Sequence, residues 1–205
     1  KPVKVVWTRE DDMRGGYYRP LSFNRVKAAV GADGMPVAIH HVTVSKPVLA
    51  NTAMGKMAVT KEGLDPSTIE GSADMPYAIP NLRVEVHNTR EAVPILWWRS
   101  VGHSITGFVT NSVIDELATL TGKDPYEYRR ELLKEKPRHL AVLERAAIEA
   151  NWGQTLPAGH FHGIALQESF GSIVAQVAEV SVSDGKARVH RVTCAVDCGL
   201  AVNPS

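Results

Sequence analysis

Between Ser104 and Leu120 apolar side chains return at every third or fourth position: Ile105, Phe108, Val109, Val113, Leu117 and Leu120. That spacing places them on one face of an amphipathic helix, and Gly122 supplies its stop. A second helix is predicted over "DPYEYRRELLKEK", where Asp124 can cap, Pro125 suits the first helical position and Glu127 follows nearby. A third, "PRHLAVLERAAIEANWG", again opens on a proline, Pro137, and stops at Gly153. On either side of the helices the period changes to two. "RVKAAVGADGMPVAIHHVTVSK" and "VAQVAEVSVSDGKARVHRVTCAVD" each read as a hairpin around Asp-Gly, at Asp33-Gly34 and Asp184-Gly185. In the second hairpin Val174, Gln176, Ala178 and Val180 alternate with Ala175, Val177 and Glu179. Apolar residues in both parities predict a strand covered over most of its length.

"NLRVEVHNTR" adds another strand, and the opening "KPVKVVWTRE" reads as one entered mid-stride. Residues 47–80 are rich in Gly, Pro, Ser, Thr and Met without a sustained period, which predicts a long loop with room for one short helix. Three successive helices flanked by hairpins predict an α+β fold with mixed sheets rather than βαβ alternation. "WGQTLPAGHFHG" is the candidate boundary, dividing 1–152 from 153–205. Both ends read as cut, the last being the turn "CGLAVNPS", so the expectation is a piece excised from a longer polypeptide.

Composition narrows the function classes. Of 205 residues 44% are hydrophobic and 22% charged, values of a globular chain. Net charge is +1, which gives no basic field for nucleic acid. No apolar run approaches the roughly 18 residues of a transmembrane segment. Cys194 and Cys198 lie in a predicted strand that would separate their Cα atoms by roughly 13 Å, too far for a disulfide. His190, Cys194 and Cys198 share parity there, but the spacing is too extended for one tetrahedral zinc site.

Complete catalytic constellations are missing. Ser100, His103 and Ser104 stand together, as do His160, His162 and Ser169, yet no G-x-S-x-G elbow accompanies them, and a hydrolase built on His103 or His160 is a remote alternative. No phosphate-cradling glycine motif appears either. His40-His41 reads as a strand pair, one inward and one outward, and Asp11-Asp12 and Asp115-Glu116 as charged or capping groups. Asp197, flanked by apolar residues in "AVDCG", must be paired or hydrogen-bonded to be tolerated. The odd stretch is "LWWRSVGHS". Its plain reading is a strand end, with Trp97 and Trp98 buried and the Arg99 guanidinium reaching back to water.

Five segments in order, "VKVVWTREDDM", "WWRSVGHS", "IDELATLTGKDPYEYRRELL", "ESFGSIVAQVAEVSV" and "CAVDCGLAVNP", together resemble the large, molybdenum-cofactor-binding subunit of the xanthine dehydrogenase/aldehyde oxidase family. The likeness runs from end to end and is greatest to the two-subunit bacterial branch typified by isoquinoline 1-oxidoreductase β subunits. It implies that 1–152 is part of a first molybdopterin-binding domain and 153–205 the start of a second. In that family an aromatic-Arg-small-x-Gly turn lies against the cofactor, and Trp98, Arg99, Ser100, Val101 and Gly102 stand at those positions. Phosphates and metal-bound oxygen would meet a cation and close main-chain amides there, with the dipole of the following helix aimed at the same anion. Many members carry a substrate-stacking aromatic where Val101 stands, so this pocket is expected to be different or roomier.

By the same resemblance Phe170 and Gly171 would lie near the cofactor, and Asp197, Gly199, Asn203 and Pro204 would shape a connecting turn. The family's catalytic glutamate and a "GGGFG"-like cofactor segment have no counterpart here. The isolated 205 residues are therefore expected to be inactive. The implied parent is an oxidoreductase carrying a molybdenum–molybdopterin cytosine dinucleotide. It would hydroxylate an aldehyde or N-heteroaromatic with oxygen from water and pass electrons to a small 2Fe-2S subunit. Bacterial export to the periplasm is common in this branch. The alternative is a non-catalytic interaction or scaffold domain sharing the fold.

Overall fold

A computed structural model describes residues 1–50 and 52–203. After helix α1 (Arg9–Gly15), strands β1 (Ser22–Val30) and β2 (Pro36–Ser45) form an antiparallel hairpin whose turn carries Asp33-Gly34. There Asp33 Oδ1 accepts the Met35 amide at 3.0 Å. The segment from Lys46 to Pro80 contains only the four-residue helix α2 (Gly55–Ala58) and a 3-10 turn (Pro66–Thr68) among its described residues. It returns the chain to β3 (Asn81–Asn88), which pairs with β2 in parallel. Three helices follow, α3 (His103–Leu120), α4 (Pro125–Leu132) and α5 (Pro137–Glu149), and then the meander β4 (His160–Ser169), β5 (Ser172–Ser183) and β6 (Lys186–Asp197).

The stop and start signals act as the sequence predicts. Gly122, at φ 67°, ends α3 while the Lys123 amide donates back to Ala118 O at 2.8 Å. Asp124 Oδ1 then accepts the amides of Tyr126 (2.9 Å) and Glu127 (3.0 Å), and Pro125 opens α4. The core lies between the helices and the second sheet: Ile114, Leu117 and Ala118 of α3 and Leu143 and Ala147 of α5 pack with Ile164, Ile173 and Val177. Ile39 of β2 and Tyr77 belong to the same cluster, so one continuous core joins both sheets.

Three expectations are corrected. The opening segment is extended but pairs with no strand, and Val3, Val5 and Val6 are exposed. Alternation specifies a face, and the described residues offer that face no partner. A second correction concerns α3, whose buried stripe is Thr106, Thr110, Asn111, Ile114, Leu117 and Ala118, while Phe108 and Leu120 are 79% and 75% exposed. The polar members can be buried because near acceptors satisfy them: the Thr106 hydroxyl donates to the Glu70 carbonyl and Thr110 Oγ1 to Thr106 O (2.9 Å). The apolar face instead lines an open groove of about 930 Å³ against β1, with Ile105, Phe108, Val109 and Leu120 facing Phe23 and Val26. Third, "LWWRS" is no strand end, since Trp97 and Trp98 are 43% and 60% exposed in an irregular segment. Pro204 lies outside the described residues.

Candidate functional site

The Trp98–Gly102 turn is built on backbone strain. Among the described residues five non-glycine residues have positive φ: Ser100 (63°), Val101 (46°), Asn151 (55°), Phe170 (51°) and Asp184 (52°). Asn and Asp enter this region readily, whereas a serine, a β-branched valine and a bulky phenylalanine do so only when their surroundings impose it. All three of the strained residues stand at candidate cofactor positions. Such outliers cluster where a ligand is clamped.

What imposes the turn is the loop behind it. Gly102 packs so closely on the Ser67 carbonyl that a Cβ there would overlap it. The Gly102 amide donates to Glu70 Oε2 at 3.1 Å, and the Thr106 hydroxyl donates to the Glu70 carbonyl. Burial pushes the Glu70 carboxyl above its ordinary range, against the lowering effect of that amide and of nearby His103. Within the turn the Val101 amide donates to Trp98 O at 2.9 Å, and Ser104 Oγ donates to Val101 O at 2.8 Å.

These bonds revise which donors can meet an anion. The Gly102 amide at the start of α3 already has a protein carboxylate, and the Ser104 and Ile105 amides fold back to Val101 O (3.3 Å) and Gly102 O (2.9 Å). Within the first turn of α3 the His103 amide alone is left without a partner among the described residues. The amides without a partner among the described residues are those of Trp98, Arg99 and Ser100 in the turn and of His103 at the helix start. Arg99 itself is exposed, with no acidic partner among the described residues. Cation, paired amides and the exposed Trp98 ring form a donor set suited to an anionic, planar ligand.

Phe170 and Gly171 are the two central residues of the β4–β5 hairpin, both at positive φ, the geometry of a type I′ turn. Two side-chain links tie this hairpin to the helix starts. Asn111 of α3 bonds both ways to the Leu166 main chain, donating to its O (3.0 Å) and accepting its amide (2.9 Å), as a neighbouring strand would. The next residue, Gln167, then lies with Nε2 2.9 Å from His103 Nδ1. Glu168 Oε2 meets His139 Nε2 at 2.7 Å near the start of α5, and Arg138 Nη2 reaches Gly171 O at 3.4 Å. The Trp98–Gly102 turn and the Phe170 hairpin are thus connected through His103 and Gln167. No described bond joins Arg99 directly to Phe170.

Glu70, Gly71, Asn111 and Gln167 were not singled out by the sequence patterns. A Cβ at Gly71 would come within 2.6 Å of Thr106 Oγ1, 2.7 Å of Gln167 Nε2 and 2.8 Å of His103 Nδ1, so α3 and β4 both converge on it. Glycines at 71, 102 and 107 were the available signal of such close approach. Elsewhere Asp197 is paired as required, accepting from Arg138 Nε at 2.9 Å and from the Gly199 amide at 3.0 Å. His41 is buried and His40 half-buried beside Glu85 at 3.1 Å. Ser181 bonds His190 (2.8 Å) while Glu179 bonds His160 (2.6 Å), so serine and acid meet two different, stacked imidazoles and no catalytic triad forms. No group of His, Cys, Asp or Glu among the described residues could hold a metal.

Residues 1–133 match the molybdopterin cofactor-binding domain. The chain belongs to that family. Across its whole length this molybdopterin-binding chain is 30% identical to the isoquinoline 1-oxidoreductase subunit beta of Brevundimonas diminuta, where it covers 27% of that protein. It is 31% identical to a protein of Gluconacetobacter polyoxogenes named membrane-bound aldehyde dehydrogenase (pyrroloquinoline-quinone), covering 30% of it. The chain thus spans less than a third of the length of these relatives. Its fold is shared with quinoline 2-oxidoreductase from Pseudomonas putida 86, at a TM-score of 0.54 and 16% identity over 85% of this chain and 24% of that one. No helix among the described residues is long and apolar enough to cross a membrane.

Proposed function

We propose that these residues form one wall of the cofactor seat in a larger molybdenum hydroxylase subunit. In this reading 1–152 contributes to a first molybdopterin-binding domain and 153–205 begins a second. The observation that carries it is the left-handed Ser100–Val101 pair, held by Glu70 and Ser67 against Gly102 and leaving an unpaired Arg99 guanidinium beside the open amides of Trp98, Arg99 and Ser100. The donor chemistry fits: a guanidinium and adjacent N–H groups match the phosphate and pterin acceptors of a molybdopterin dinucleotide, proposed to be the cytosine form. Trp98, Arg99, Ser100, Val101 and Gly102 would hold it, with Phe170 and Gly171 at the neighbouring hairpin.

When bound, that group supplies the insertion of a water-derived oxygen and the uptake of electrons. This chain's residues bind and orient. Arg99 neutralises anionic charge, and the Arg99 and Ser100 amides fix position. Val101, smaller than an aromatic, leaves room beside the seat for an aldehyde or N-heteroaromatic ring. No proton-transfer role is assigned to a residue of this chain. Electrons would leave through a small 2Fe-2S partner subunit, and export to a bacterial periplasm accords with the branch resembled. The isolated 205 residues would be inactive for want of a catalytic base. Metal and pterin analysis of the complete subunit tests the reading. Stoichiometric molybdenum with a pterin dinucleotide is expected; a well-folded protein without either would replace it with a scaffold role for the same fold.

A further inference from the structure

Glu70 is an acid turned inward, in a chain where most carboxylates face water. It follows the 3-10 turn Pro66–Thr68, which Asp65 fixes by accepting the amides of Leu49 (2.6 Å) and Ser67 (3.0 Å) and the Ser67 hydroxyl (2.6 Å). Asp65 is wholly buried, so this turn is a rigid base. From it Glu70 reaches α3 with both of its acceptors: the carboxylate takes the Gly102 amide at 3.1 Å, and the main-chain carbonyl takes the Thr106 hydroxyl. The Ser67 carbonyl abuts Gly102 on the same side. Two contacts from one short segment therefore meet Gly102, where the strained turn becomes a helix, and a third meets Thr106 one turn further on.

We propose that Glu70 is a positioning residue for the Arg99 turn, its carboxylate holding the Gly102 amide so that Ser100 and Val101 stay left-handed and the Arg99 and Ser100 amides stay free for the ligand. The inference rests on the cofactor reading above for its purpose, but not for its mechanics. A carboxylate accepting an amide in a half-buried site makes a strong, directional bond, and one is needed here because positive φ is unfavourable for serine and for β-branched valine. Without the acceptor, the turn can relax to ordinary φ values while α3 and the core stay intact. Loss of Glu70 would then be felt at 98–103 rather than across the fold.

The test compares the wild-type complete subunit with E70A, E70Q and E70D, reading amide hydrogen exchange over 98–103 and molybdenum content. Glutamine keeps an acceptor oxygen at the same reach; aspartate is one methylene short. E70A and E70D are expected to exchange about tenfold faster or more at the Gly102 amide and, as the turn relaxes, at the Val101 amide bonded to Trp98 O, and to retain severalfold less molybdenum. E70Q, a neutral acceptor at the same reach, should lie between wild type and E70A in both. Unchanged exchange in E70A, or E70Q behaving like E70A, would overturn the proposal. Should E70A fail to fold, the contrast between E70D and E70Q decides. The two readouts separate the claims: wild type without molybdenum but with the expected exchange pattern sinks the cofactor reading alone. Molybdenum present with a flat exchange pattern sinks the role of Glu70 alone.

Discussion

Arg129 Nη1 donates to Asp115 Oδ1 across 2.6 Å, tying α4 to α3, while Nη2 donates to the main-chain oxygen of Asn111 at 3.0 Å. The guanidinium is fully buried and Asp115 is 43% exposed. Asn111 is also the residue whose side chain pairs with Leu166. The buried cation therefore fixes the part of α3 from which the β4–β5 hairpin is aimed. Breaking a buried ion pair leaves an uncompensated group and destabilises by roughly 3–5 kcal/mol. Removing Asp115 leaves the buried guanidinium uncompensated, whereas water can solvate the Asp115 carboxylate left by removing Arg129. In urea unfolding Asp115→Ala should therefore lose about 3 kcal/mol or more; a loss below about 1 kcal/mol would contradict the assignment.

Gly102 and Gly122 offer a contrast between crowding and strain. Gly102 has helical angles, φ −62° and ψ −36°, so alanine meets no conformational penalty there, but it overlaps the Ser67 carbonyl and crowds Glu70. Gly122 has open space but φ 67°. Gly102→Ala should destabilise by about 1–3 kcal/mol through overpacking and should also lower molybdenum retention. Gly122→Ala should lose about 1 kcal/mol with retention unchanged. Equal effects on retention would separate the turn from the cofactor.

Strain at Val101 predicts a trade-off. Relieving the left-handed φ recovers about 1–2 kcal/mol, partly offset by the roughly 0.5–1 kcal/mol that glycine loses in entropy. Val101→Gly should therefore leave thermal stability equal or slightly raised, yet bind the cofactor less tightly because the turn is no longer held. A variant that gains both would show that the strain has no functional role.

The Asp197–Arg138 contact sets an acid-side signature. The Arg138 guanidinium, then the Gly199 amide, hold the Asp197 carboxyl down from 3.8 to about 2. A carboxyl depressed in the folded state contributes stability that is complete above its ordinary value and is lost as pH falls toward the folded one. Thermal unfolding should therefore steepen between pH values of about 4 and about 2, and Asp197→Asn should flatten that interval. An identical slope in the variant would deny the contact.

Much of the framework could be read from local chemistry. Asp-Gly pairs mark both long hairpins, and Asp124-Pro125 and Gly122 mark helix limits, because each acts within a few residues of itself. The partner of a strand and the buried side of a helix are different matters. The parallel pairing of β3 with β2 and the burial of Thr106, Thr110 and Asn111 depend on segments far away in the chain. Gly102 lies 32 residues from Glu70, and Asn111 lies 55 from Leu166. Arg99 was legible only through the resemblance carried by its neighbours; its open surroundings are a property of the fold.

The central claim is that Arg99 and the amides beside it seat a molybdopterin. Molybdenum per polypeptide, measured on purified complete subunit as wild type and as Arg99→Ala, tests it most directly. The account predicts a severalfold drop in the variant at unchanged thermal stability, since an exposed, unpaired guanidinium carries little of the fold. Equal molybdenum in the two proteins, with equal turnover, would contradict it.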